Sequence, residues 1–175
     1  MNDDITSRQY PIGKLVPKDS YTAEEREGFI RSIETIPAQI EDLVKDFTPE
    51  QWETPYREGG WTARQVVHHI ADSHMNAYIR VKWALTEETP QIKAYDEKAW
   101  ATTPEVAADV SLSISLLHAL HAKFATLLRG IPEDQLSRAF IHPATGKLNS
   151  VERMMALYSW HGEHHLGHLK LVAGK

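Results

Sequence analysis

In the stretch Val151-Glu-Arg-Met-Met-Ala-Leu-Tyr-Ser-Trp-His-Gly-Glu-His-His-Leu-Gly-His-Leu-Lys-Leu-Val172, the residues Val151, Met154, Tyr158, His161, His165, His168 and Val172 recur at alternating steps of three and four. That period is one stripe of an α-helix, the stripe such a helix turns toward its partners. Asn149, with Glu152 three residues on, predicts the cap, and the helix runs to about Ala173. Three comparable segments precede it. Thr22-Ala-Glu-Glu25 reads as a capping box, followed by Phe29, Ile33, Ile36, Ile40, Leu43 and Phe47, with Pro37 predicting a kink near Ile36. Thr62 and Gln65 start a second helix that Val66, Val67, Ile70, Ala77, Val81 and Leu85 carry to about Thr86. A third runs from about Ala107 to Arg129 on Ile114, Leu117, Leu120, Phe124, Leu127 and Leu128, and stops at Gly130. Long amphipathic helices with almost no strand signal predict an all-α four-helix bundle.

The connections add to this reading. Two exceed ten residues, so at least one is expected to cross over rather than turn tightly. The longest, Glu87 to Thr103, is of the length that often carries function. Phe140 to Leu148 suits a small hairpin around Thr145-Gly146. Residues 1–20 hold prolines and no period, an arm expected to lie on a single domain spanning 1–175.

Composition narrows the function classes. Apolar residues make up 42% and charged residues 25% of the 175, as in folded globular chains. Nineteen Lys+Arg against twenty-four Asp+Glu give −5, which supplies no basic footprint for nucleic acid or an anionic membrane. No apolar run approaches the ~18 residues of a bilayer span, and the acidic start does not resemble a signal peptide. A cytoplasmic protein is expected. Absent cysteine excludes disulfides, thiolate metal sites and a protein thiol nucleophile. Ten histidines are the unusual feature.

Histidine in three successive core positions is hard to explain by packing, because each buried ring nitrogen left unsatisfied costs on the order of 1–3 kcal/mol. A metal ion satisfies several imidazoles at once. Two pairs at i and i+4, His161/His165 and His164/His168, have the spacing for one ion, and the stripe favours the first. His-Glu-x-x-His is absent, which argues against a zincin protease. On the second helix, steps of about 100° place His68 away from the core and leave both His69 and His74 open. His69 shares its flank with Gln65, Asp72, Asn76 and Arg80, a polar row suited to lining a cavity. His118, His121 and His142 read as surface or outer-shell residues.

With these residues in place, the chain resembles the DinB-like superfamily, in its YfiT-type branch of metal-dependent hydrolases. The resemblance rests on Tyr10-Pro-Ile-Gly, Pro55-Tyr-Arg-Glu-Gly-Gly-Trp-Thr-Ala-Arg-Gln-Val-Val-His-His-Ile-Ala-Asp-Ser-His-Met-Asn, Thr86-Glu-Glu-Thr-Pro, Tyr95-Asp-Glu-Lys-Ala-Trp and Trp160-His-Gly-Glu-His-His. It implies a bundle holding one divalent metal, zinc or nickel, on His69, His161 and His165, in a homodimer. Ala94 stands where relatives are expected to carry proline, which touches no ligand. Enzymes of the same superfamily use a low-molecular-weight thiol such as bacillithiol or mycothiol.

Three neutral imidazoles leave a coordination position open, the mark of a catalytic zinc. Water activation against a small-molecule substrate is the hydrolase expectation. Holding a cosubstrate thiolate is the S-transferase alternative, with Arg80 or Arg64 binding its carboxylates. A metal-binding dimeric stress protein without turnover is the third. Asp72 and Glu163 are the candidates to orient an imidazole or move a proton, and the sequence marks no secure general base.

Overall fold

The structure is a computed structural model that describes residues 7–175. Long helices α1 (Ala23–Val44), α2 (Ala63–Thr86), α3 (Ser111–Arg129) and α4 (Val151–Ala173) form the bundle. Thr22, Thr48 and Thr62 each close a capping box, with Glu25, Gln51 and Gln65. The last helix is capped by Ser150 rather than Asn149, because Asn149 belongs to the strand before it. α3 begins later than the pattern suggests, since Pro104–Ala107 forms a separate 3-10 turn. That helix is long and apolar enough to cross a membrane by length and composition, contrary to the sequence reading, with a mean hydropathy of 1.2. Its Leu117, Phe124 and Leu128 are nonetheless sealed inside the bundle.

Helices α1 and α2 each pack against both α3 and α4, so consecutive helices α1 and α2 sit across the diagonal, as do α3 and α4. The expected crossing connections follow from this. One carries the short helix Pro49–Trp52, and the other carries a hairpin of β1 (Ala139–His142) and β2 (Lys147–Ser150), turned at Gly146 with φ +64. The long loop after α2 is pinned to β1, where the Ile92 amide donates to the Ile141 carbonyl and the Ile141 amide to that of Pro90. Residues 7–20 lie on α4, as the arm reading expects. Trp160 Nε1 donates to the Gly13 carbonyl, and a Cβ at Gly167 would stand 2.8 Å from Pro11 Cγ. Glycine at 167 is what lets the arm sit so close.

The interior divides into two apolar halves. Ile33, Ala77, Phe124 and Tyr158 belong to one, and Ile36, Ile70, Leu117 and Leu166 to the other. Between them lies a layer of histidines, His74 from α2, His121 from α3, and His161 and His165 from α4. α1 contributes a backbone group. Pro37 has no amide hydrogen to give the Ile33 carbonyl one turn back, and His121 Nδ1 donates to that carbonyl instead. The helix therefore continues through Pro37 to Val44. His121→Leu is expected to cost about 1–3 kcal/mol by leaving that carbonyl unpaired. Pro37→Ala should return part of the loss, and urea titration of the single and double variants checks the coupling.

Candidate metal centre

His69, on the α2 face turned toward α4, meets His161 and His165 from successive turns of α4, and one ring nitrogen of each lies within 4.8 Å of the others. His69 Nε2 and His161 Nε2 are 3.3 Å apart. Two imidazole nitrogens on one tetrahedral zinc, with bonds near 2.0–2.1 Å, stand roughly 3.3–3.4 Å apart, so the donor set fits such an ion. Gly162 lets α4 approach this closely, since a Cβ there would meet Ile36 Cγ1 at 3.1 Å and His74 Cε1 at 3.6 Å.

The second ring nitrogens fix the tautomers. His161 Nδ1 is 3.1 Å from His74 Nε2, and His165 Nδ1 is 3.2 Å from His168 Nδ1. With Nε2 of each α4 ligand reserved for a cation, Nδ1 carries the hydrogen and donates outward. His168 then holds its own hydrogen on Nε2, which donates to the Gln9 carbonyl at 3.2 Å. His74 accepts through Nε2, and its ring stacks on His121 with centroids 4.7 Å apart. The acceptors are neutral imidazoles where carboxylates are common, so the cage adds no negative charge and a bound dication keeps its full charge.

Burial holds the cluster neutral. It pulls His69 down to about 4 and takes His161, His165 and His74 well below the usual histidine range, with neighbouring histidines adding to the effect. Neutral imidazoles present the lone pairs that metals bind. The Trp61 ring covers the cluster, 4.4 Å from His69 and 6.4 Å from His165 by centroids, and Tyr56 stacks on His168 at 3.8 Å. Ser73, one turn beyond His69, brings its Oγ to 3.4 Å from His161 Nε2.

The other candidates lie elsewhere. Glu163 accepts a hydrogen bond from Ser32 Oγ of α1 at 3.0 Å, on the side of α4 away from His69. Asp72 faces α3, where it shares a 180 Å³ cavity with His68 and Glu105, and burial raises it to about 6. His68 is not on the surface as its wheel position suggests. It is 6% exposed and pairs with Ser113 Oγ at 2.8 Å, because α2 is covered by α3 on one flank and α4 on the other. Arg64 is occupied by Glu53 and the Ala108 carbonyl. His118 is at the surface with Glu41, whereas His121 is fully buried. The orienting roles of His74 and His168, and the place of Ser73, were missed. Their signal was faint but present: His74 stands at a core position without a partner, and Ser73 continues the His69 row at i+4.

Comparison with known proteins agrees with this geometry. Residues 32–169 match the family described as the DinB superfamily. "Putative metal-dependent hydrolase YfiT" of Bacillus subtilis is 47% identical over 161 residues, covering 91% of this chain and 90% of that one. A Bacillus pumilus protein also named a metal-dependent hydrolase, again with the qualifier "putative", is 44% identical over 165 residues, 94% of each chain. The solved structure of YfiT from Bacillus subtilis, described as having "an unusual four-helix bundle topology", superposes with a TM-score of 0.94 at 45% identity, covering 96% of this chain and 97% of that one. With the helix order, the histidine cluster and these relatives in agreement, the chain belongs to the DinB superfamily.

Proposed function

We propose that this chain is a metal-dependent hydrolase in which His69, His161 and His165 hold one divalent transition ion, zinc or nickel. The observation that carries the reading is the convergence of three neutral, outwardly hydrogen-bonded imidazoles from two helices on one point. Imidazole donors favour such ions over magnesium or calcium, which prefer oxygen. An ion held by three such ligands supplies acidified water and a polarised acyl oxygen.

The chain's own residues do the rest. His74 and His168 hold the ligand rings in one orientation, and Trp61 shields them from bulk water. Ser73 offers a hydroxyl beside the cluster, and the Tyr95 and Tyr158 hydroxyls lie next to Ser73. Burial keeps both phenols protonated, so they serve as neutral hydrogen-bond donors to charge developing on a reacting carbonyl.

Zinc-loaded protein is expected to release p-nitrophenol from acyl esters without added thiol, and to lose that activity in His165→Ala. Turnover that consumes a low-molecular-weight thiol in stoichiometric amounts would replace hydrolysis by S-transfer. Absence of turnover on ester, amide and thiol panels would leave a metal-binding protein.

A further inference from the structure

Arg80 is 7% exposed, yet among the described residues no carboxylate lies within ion-pair distance of it. Arg26, also largely buried, is gripped by Glu133 and Glu152. Arg80 Nε has no hydrogen-bond partner, and Nη2 reaches the Lys93 carbonyl only at 3.5 Å. Its guanidinium carbon stands 5.8 Å from the Tyr95 ring centroid. Arginine cannot shed its proton, so a buried guanidinium with no carboxylate to balance it is a standing cost to the fold. Such a cost is retained where the charge does something.

Its position says what. His69, Ser73, Asn76 and Arg80 fall within about 60° of one another on the wheel of α2, a single row leading from the metal cluster. Seven residues separate Ser73 from Arg80, a rise of about 10 Å. Beside that row opens a 430 Å³ cavity whose lining includes Asn76, Trp83, Lys93, Tyr95, Asp96 and Trp100, with the Asp96 carboxylate taken up by the Lys98 and Ala99 amides. Arg80 touches Tyr95 and Lys93, which form the cavity wall, from within, and its guanidinium also faces the buried Tyr158 phenol. The indoles of Trp83 and Trp100 are each 37% exposed at the cavity.

We propose that Arg80 anchors a carboxylate on the substrate of this centre, with the substrate's apolar body against the indoles and its reacting group at the histidines. The proposal rests on the hydrolase reading and names its substrate class, an amphipathic monocarboxylate. A single planar guanidinium with a free Nε edge matches a carboxylate by two parallel hydrogen bonds. Burial and the Arg80 charge both lower the pKa of His142, so that imidazole adds no competing cation beside the guanidinium at neutral pH. Glu97, whose charge reaches Tyr95 and Tyr158, is the nearby acid that competes for the same arginine.

The test is calorimetric titration of zinc-loaded protein with suberic monohydroxamate and its methyl ester, which share a metal-binding end and differ only in the distal charge. The acid is expected to bind about tenfold tighter than the ester, as a charged hydrogen-bonded pair implies. Arg80→Gln should bring the two to near equality, Arg80→Lys should fall between, and Glu97→Gln, which removes the competing acid, should raise the ratio. Equal binding of acid and ester to the unsubstituted protein, or a ratio indifferent to Arg80→Gln, overturns the proposal. Acetohydroxamate reaches the metal alone. Its failure to bind would count against the metal reading, and the acid-to-ester ratio in metal-free protein would then decide the arginine by itself. Ligand-free Arg80→Met is expected to melt no lower than the unsubstituted chain. A fall beyond about 2–4 °C, the equivalent of ~1 kcal/mol at this size, assigns Arg80 to the core instead.

Discussion

Alanine at His161 or His165 is expected to strip the metal from the protein. Each side chain is a donor in the cage and is also the end of a hydrogen-bonded pair, His161 with His74 and His165 with His168. Removing the donor therefore also leaves its outer partner unpaired. The loss in affinity should exceed the roughly 10–100-fold that removal of an outer partner alone costs, which is the effect expected for His74→Leu and His168→Leu. His74→Gln, which can place an amide oxygen near the lost Nε2, should recover part of it. His68→Ala is the control. It breaks the pair with Ser113 and lowers stability, but it stands on the α3 flank and should keep the full metal content. If His68→Ala loses metal and His69→Ala keeps it, the register of α2 against α4 is wrong.

Acid is expected to unfold the metal-free protein between pH 6.5 and 4. Burial lowers His69, His121, His164 and His168 to about 4 in the folded chain, against 6.5 when solvated. The unfolded chain therefore binds more protons across that window, and stability falls as pH falls. Each shift corresponds to roughly 3 kcal/mol once both states are fully protonated. Four such groups together are comparable with the ~5–15 kcal/mol that holds a domain. The midpoint should thus lie toward the acid end of that window, read by helical circular dichroism. A melting temperature that stays level from pH 7 to pH 4.5 would contradict it. Bound metal shifts the midpoint lower, because it selects the neutral imidazoles of the folded state until protons displace it. At pH 7 a chelator should lower the melting temperature while the helical signal persists, since both apolar halves of the core are independent of the ion.

The period of Val151 to Val172 made the last helix and its inward histidines legible, because a three-four stripe needs only the local chain. The Thr-capped starts of α1 and α2 were legible for the same reason. The choice between His69 and His74 was not open to periodicity. Both face the interior, and only the layer formed with α3 and α4 separates a residue facing the cage from one that accepts the His161 hydrogen. His68 was misplaced because a single-faced wheel assumes one buried side, whereas α2 packs on two neighbours. Pro37 reads as a defect until His121, 84 positions later, is seen to take over the bond it omits. Arg80 could be placed in a polar row from sequence, but its lack of a counter-ion is a fact about every element around it.

X-ray absorption at the metal edge of zinc-loaded protein tests the central claim most directly. One equivalent of zinc per chain is expected, with three imidazole nitrogens at about 2.0–2.1 Å and a single additional light oxygen donor. A fourth imidazole in the shell, drawn from His74, His164 or His168, would close the site and contradict a catalytic centre. So would a stoichiometry well under one.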